Sequence, residues 1–163
     1  MKTLILIRHA KSSWDYPHLS DFDRPLNGRG KRDAPRMGSY LAEQSIHADL
    51  IVSSPANRAI TTARTIQEYQ TSSKPELIEE HPLYHASASA ILRVVQRQSE
   101  TADHLMIFGH NPGFTDFANQ LTDHYIDNIP TCGVVGIEFE ADSWTEVAIG
   151  DGRQLYFHFP KGI

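Results

Sequence analysis

The stretch Thr3-Leu4-Ile5-Leu6-Ile7-Arg8-His9-Ala10-Lys11 decides how the rest of the chain is read. Its first five residues form a continuous apolar, β-branched run of the kind that is covered on both faces of a parallel sheet. Charge begins where the run stops. In an open α/β sheet the ligand crevice lies beyond the carboxyl ends of the strands, so the Arg8-His9 pair stands where chemistry is done. Arg8 offers a planar fork of donors to an anion, and the His9 imidazole serves as base, ligand or nucleophile. Alone, the dipeptide reads equally well as a polar turn, and its meaning depends on what the other strand ends bring.

Two further segments repeat the pattern. Asp49-Leu50-Ile51-Val52-Ser53-Ser54 reads as a strand, and Ser54-Pro55 predicts a helix with Ser54 as N-cap and Pro55 at the first helical position. Arg58 falls in that first turn, where free N–H groups and the helix dipole already favour an anion. Ala59, Ile60, Ala63, Ile66 and Tyr69 give the apolar stripe of this helix, and Arg64 reads as a surface charge. His104-Leu105-Met106-Ile107-Phe108-Gly109-His110 is the third run. After it, Asn111 or His110 caps a helix that has Pro112 at its first position and Phe114, Phe117, Ala118 and Leu121 facing inward.

Three strand-to-helix junctions thus supply Arg8 and His9, then Arg58, then His110, and a doubly wound topology gathers such junctions on one rim. Two guanidinium groups and a helix N-terminus describe a pocket for a dianion, for which a phosphoryl group is the natural guest. Two imidazoles add a nucleophile and a further donor. There is no GxxxxGK[ST] loop for nucleotide phosphates and no acidic cluster for Mg²⁺.

Between these blocks, residues 12–27 mix aromatic, Pro and Asp residues without a period and read as a loop. Gly28 to about Gln44 reads as a helix capped by Asn27, with Met37, Tyr40 and Leu41 inward and Pro35 expected to shorten or kink it. Leu77–Glu80 suggests a short strand, and Ser87 or Ser89 starts a helix burying Ile91, Leu92, Val94 and Val95. His81 and His85 have a spacing that suits a metal only on one helical face, and the intervening Pro82 argues for loop instead. Val134–Glu140 and Glu146–Ile149 look like a hairpin, with Gln154–Phe159 as a further strand. Cys132 is expected to be a small buried residue.

Composition sets the outer limits. A chain of 163 residues with 40% hydrophobic content supports one domain, residues 1–163, with a real core. The formal charge of -5 argues against nucleic acid or an anionic membrane as partner, so any anion site must be local. A single cysteine excludes an intrachain disulfide and a thiolate metal cage. No segment has the length of a membrane span, and a soluble, cytoplasmic protein is expected.

The blocks Arg8-His9, Ser53-Ser54-Pro55-Ala56-Asn57-Arg58-Ala59 with Thr62-Ala63, and Gly109-His110-Asn111-Pro112 together resemble the histidine phosphatase superfamily, also called phosphoglycerate-mutase-like. Arg8 to Trp14 and Asp23-Arg24-Pro25-Leu26-Asn27-Gly28-Arg29-Gly30 are similar to its small phosphohistidine phosphatase branch, typified by SixA. The resemblance implies an α/β fold with a mostly parallel central sheet flanked by helices and no large cap insertion. It also implies that His9 takes up the phosphoryl group, that Arg8 and Arg58 bind its oxygens, and that His110 completes the pocket without a metal or other cofactor. The partner it implies is a phosphohistidine-bearing protein, for which Lys11, Trp14 and Arg24 are the candidate rim. The acidic proton donor of many family members has no counterpart in Leu83-Tyr84-His85, an absence shared with the SixA-like branch. A departing imidazole accepts a proton near pH 6.5 and needs less acid help than an alkoxide, so N-phosphoryl substrates are expected to be favoured. A small-molecule phosphomonoesterase, a phosphohistidine-binding adaptor with little turnover, and a metal-dependent hydrolase are the other readings.

Overall fold

The computed structural model describes residues 1–163. Its elements run β1 (Lys2–Arg8), α1 (Gly28–Glu43), β2 (Leu50–Ser53), α2 (Asn57–Gln67), β3 (Glu76–Glu79), α3 (Ala88–Gln96), β4 (His104–Gly109), α4 (Gly113–Leu121), β5 (Val134–Phe139) and β6 (Arg153–His158). The strands form one sheet in the order β3-β2-β4-β1-β5-β6. β1 to β4 run parallel, and β5 and β6 are antiparallel additions on one side.

The side-chain period of two splits the central strands between two cores. Leu4 and Leu6 of β1, with Leu105 and Ile107 of β4, pack against α3 and α4 through Ile91, Val94, Phe114 and Phe117. Ile5 and Ile7, with Met106 and Phe108, pack on the other face against Met37 and Leu41 of α1 and Ala63 and Ile66 of α2. This explains why these strands read as unbroken apolar runs: helices cover both faces.

Register sets the functional rim. Arg8 stands opposite Gly109, and Ser53 opposite Phe108. The ladder continues one step beyond each strand, His9 N–H donating to the Gly109 carbonyl at 3.0 Å and Ser54 N–H to that of Phe108 at 2.9 Å. β4 lies between β1 and β2, so the three strand ends sit side by side although they are far apart in sequence.

Several local expectations change. α1 runs uninterrupted through Pro35, because burial of Ala34, Met37 and Leu41 on the sheet outweighs a local proline penalty of about 3 kcal/mol. Asn27 caps it as expected, its side chain accepting the Gly30 N–H. Gly30 is required where α1 crosses Lys11, since any Cβ there would overlap the Lys11 carbonyl. α2 begins at Asn57 after Ala56, so Ser54 is not its cap; the Ser54 hydroxyl is engaged elsewhere, and Arg58 still falls in the first turn. α4 begins at Gly113 with Pro112 before it, and Asn111 Oδ1 accepts from the N–H and hydroxyl of Thr115. Leu92 of α3 is only partly buried. Residues 146–149 form no strand: Trp144 is wholly buried and its Nε1 donates to the Ala102 carbonyl at 2.7 Å, which draws the segment off the sheet and leaves β6 to pair with β5. No helix is long and apolar enough to cross a membrane.

Candidate active site

His9 follows β1 directly and is 7% exposed. Its Nδ1 lies 2.7 Å from the Ala10 carbonyl. A carbonyl oxygen only accepts, so Nδ1 carries the ring proton and Nε2 keeps its lone pair. Burial pushes the His9 pKa down to about 4; the Ala10 bond opposes this, and the charges of Arg58, Arg8 and Arg24 add to it. At neutral pH the imidazole is therefore uncharged, with Nε2 free to act as a nucleophile.

The peptide that orients His9 is itself held in place. Ala10 N–H donates to Thr62 Oγ1 at 3.0 Å, and the same hydroxyl donates to the Arg58 carbonyl at 2.7 Å. Thr62 thus ties the end of β1 to the first turn of α2. From the other side, the Cys132 N–H is shared between the carbonyls of Arg8 and His9, at 3.1 and 3.0 Å. Cys132 adopts φ 60°, in the left-handed region, and burial raises its thiol pKa to about 12, so its contribution is the backbone N–H.

His110 follows β4 with its ring centroid 5.2 Å from that of His9. Its Nε2 is 2.8 Å from Ser54 Oγ, which also accepts the Ala56 N–H at 3.3 Å. A hydroxyl already accepting from the backbone can give its own proton to Nε2, which leaves the His110 proton on Nδ1. Burial, and then the neighbouring His9 and Arg58, hold the His110 pKa down to about 3. His110 Nδ1 and Arg8 Nε are buried polar atoms without a hydrogen-bond partner in the protein. Both are donors at the same rim, and an oxyanion is the group that satisfies both.

Arg8 Nη1 donates to the Ile129 carbonyl at 2.9 Å. Arg58 is 5% exposed, and both its terminal nitrogens are bonded to one residue of the 12–27 loop. Nη1 donates to the Asp21 carbonyl at 2.7 Å and Nη2 to its Oδ2 at 3.0 Å. Tyr84 Oη donates to the same carboxylate at 2.6 Å, Arg24 Nη1 donates to Oδ1 at 2.9 Å, and His85 Nε2 stands 3.5 Å away. Burial tends to raise the Asp21 pKa, but the bonds from Tyr84, Arg58 and Arg24 outweigh it and hold this carboxyl well below the usual carboxylate range. Asp21 is thus a fixed anion that aims Arg58, and it has no proton to give.

Of the sequence-derived candidates, Arg8, His9, Arg58 and His110 converge here. Lys11 is half-buried near them, and Trp14 is 74% exposed. Arg24 is buried under Trp14, its guanidinium 3.4 Å from the ring centroid. It donates to the Ser13 carbonyl and Ser12 hydroxyl, so it reaches the site through Asp21. The sequence reading missed Asp21, Tyr84 and His85, and gave Ser54 only a capping role. His85, at φ 53°, turns its ring to within 6.3 Å of His110, while His81 sits in a 3₁₀ turn with Pro82. No group of three or more His, Cys, Asp or Glu side chains stands together as a metal cage.

Several known proteins resemble this chain in sequence or fold. A family model for the histidine phosphatase superfamily (branch 1) matches residues 4–82. An uncharacterized chloroplastic protein of Arabidopsis thaliana is 29% identical over 89% of this chain and 70% of its own length. Among solved structures, SixA of Agrobacterium tumefaciens superposes with a TM-score of 0.83 at 25% identity over 98% of both chains. A protein histidine phosphatase SixA in complex with tungstate gives 0.81 at 17% identity, over 98% of this chain and 97% of its own.

Proposed function

We propose that the chain is a histidine phosphatase, specifically a phosphohistidine phosphatase acting on protein-bound phosphohistidine through a phospho-His9 intermediate; the family match over residues 4–82 and the SixA-like fold support this reading. The observation that carries the reading is the state of His9: Nδ1–H held by the Ala10 carbonyl, a pKa pushed down to about 4, and therefore a free Nε2 lone pair beside two arginines. Residues 1–163 act in this reading as one domain.

In the first step His9 Nε2 attacks phosphorus, the P–N bond of the substrate breaks, and the departing imidazole nitrogen takes a proton from solvent. In the second, water attacks phospho-His9, releasing phosphate and regenerating the imidazole. Arg8, Arg58 and the His110 Nδ1–H stabilise the charge on the oxygens in flight. These groups supply the positive charge without a metal. Asp21 favours a nitrogen leaving group over an alkoxide: it is the carboxyl bonded directly to Arg58, and its hydrogen bonds keep it ionised, so it donates no proton to an oxygen.

The test is phosphate release, in chelator, from a phosphohistidine-bearing protein and from a simple alkyl phosphate, by this chain and its His9→Ala variant. Faster release from phosphohistidine that depends on His9 supports the proposal. Faster release from the alkyl phosphate would point to a small-molecule phosphomonoesterase, and binding without release to an adaptor.

A further inference from the structure

Beside the phosphoryl site lies a groove of about 350 Å³, between the start of α1, the turn at Asn128–Thr131 and the segment Phe159–Lys161. Arg8, Lys11, Arg29, Arg36 and Lys161 line it, against the single carboxylate of Asp33. The whole chain holds 15 Lys and Arg against 20 Asp and Glu, so a third of its cations stand on one small surface of an acidic protein.

Apart from Arg36, these cations are little neutralised. Asp33 pairs only with Arg29, at 3.8 Å. Arg29 Nη2 also donates to Thr131 Oγ1 at 3.1 Å, a contact that holds its guanidinium at the groove without cancelling its charge; Arg36 donates through Nη1 to the Pro160 carbonyl at 2.8 Å and through Nη2 to the oxygen of Ile163, at the end of the chain, at 2.6 Å. Lys11 and Lys161 have no carboxylate partner. Crowding like charges destabilises the free protein, and a ligand that brings carboxylates relieves that repulsion. Arg8 belongs to both places: it lines the groove, and its charge is felt at His9. A ligand with its phosphoryl group at His9 therefore extends past Arg8 into a surface of opposite charge.

We infer that the groove docks a carboxylate-rich face of the phosphohistidine protein, adjoining the phosphorylated histidine, and so selects acidic substrates. The inference rests on the phosphatase reading for its substrate, but the groove can be tested apart from catalysis. Exposed ion pairs are each weak, so the gain comes from several acting together and from faster encounter, and it is sensitive to salt.

The experiment compares the wild-type chain with the double charge reversal Arg29→Glu/Lys161→Glu, neither residue being part of the phosphoryl pocket. The first measurement is fluorescence anisotropy of an unphosphorylated Glu-rich peptide and its Gln-rich counterpart, at low and at physiological salt. The second is kcat/KM for free phosphohistidine and for phosphohistidine within each peptide. The wild type is expected to bind and turn over the acidic peptide at least about tenfold better than the neutral one, with the preference shrinking as salt rises. The double variant is expected to lose the preference while its turnover of free phosphohistidine stays unchanged. Equal treatment of the two peptides by the wild type, or a preference that survives in the double variant, overturns the inference. If no phosphohistidine compound is cleaved, the phosphatase reading fails, and the anisotropy series still decides for or against the groove.

Discussion

Thr62→Val removes the one hydroxyl that ties the end of β1, which carries the proposed nucleophile His9, to the first turn of α2 while keeping the shape of the side chain. Thr62 is wholly buried, and its Oγ1 accepts the Ala10 N–H at 3.0 Å. Valine offers no acceptor, and Ala10 is itself wholly buried, so water cannot take over the role. The Arg58 carbonyl loses only its second donor, since the helical bond to it remains. One buried N–H left unpaired costs about 1–3 kcal/mol. For a chain of this size each kcal/mol lowers Tm by about 2–4 °C, so a drop of roughly 2–12 °C is expected. Activity should fall further than stability alone requires, because the Ala10 carbonyl fixes His9 Nδ1 and a shift of that peptide misaims Nε2; a loss of about tenfold in kcat is expected. Thr62→Ser keeps the hydroxyl and gives up a methyl group, so it should cost about 1 kcal/mol and retain kcat. The assay is thermal unfolding by circular dichroism together with phosphate release. A Val variant that melts within 1 °C of wild type and keeps full kcat would refute the reasoning.

Stability should also depend on pH through His9. The unfolded imidazole takes up its proton near pH 6.5 and the folded one only at about 4, so the unfolded state binds more protons between those values and stability falls as pH drops through that window. The His9 part of the loss reaches about 3 kcal/mol below pH 4 and is absent above pH 6.5; urea titrations should show wild type losing more stability than His9→Asn, which keeps the contribution of the buried His110, and parallel curves for the two would dismiss it. Arg58→Lys replaces a fork that serves Asp21 and, in the proposed function, the phosphoryl oxygens with a single point charge, so kcat/KM should fall about 10²–10³-fold in phosphate-release assays, and a loss under fivefold would remove Arg58 from the proposed oxyanion pocket. Arg24→Ala strips the buried donor from Ser12, Ser13 and Asp21 and should cost about 2 kcal/mol and expose the 12–27 loop to protease; unchanged cleavage of that loop would contradict the pinning role.

The parts of the site that were readable in sequence are those carried on regular elements. β1, β2 and β4 announce themselves as apolar runs; Arg8 closes β1, and His9 and His110 follow β1 and β4, because the polypeptide changes character there. Arg58 was legible as a first-turn residue even though the helix begins two positions later than Ser54-Pro55 suggests. Residues 146–149 misled for a local reason: they alternate like a strand, and only the burial of Trp144 shows that the segment is held elsewhere. Asp21 left no mark at all, since it lies in a loop without a period and meets Arg58 and Tyr84 across separations of 37 and 63 residues.

The sequence by itself determined the α/β layering and the residue types that reach the rim, because alternation, helical period and strand ends are local properties of the chain. Tertiary structure alone decided the state of those residues: which His9 nitrogen holds the proton, that Thr62 anchors Ala10, that Asp21 aims Arg58, and that five cations share one groove. Each depends on the order and register of the sheet, which bring distant segments within hydrogen-bond reach, and that order is the outcome of packing both faces at once.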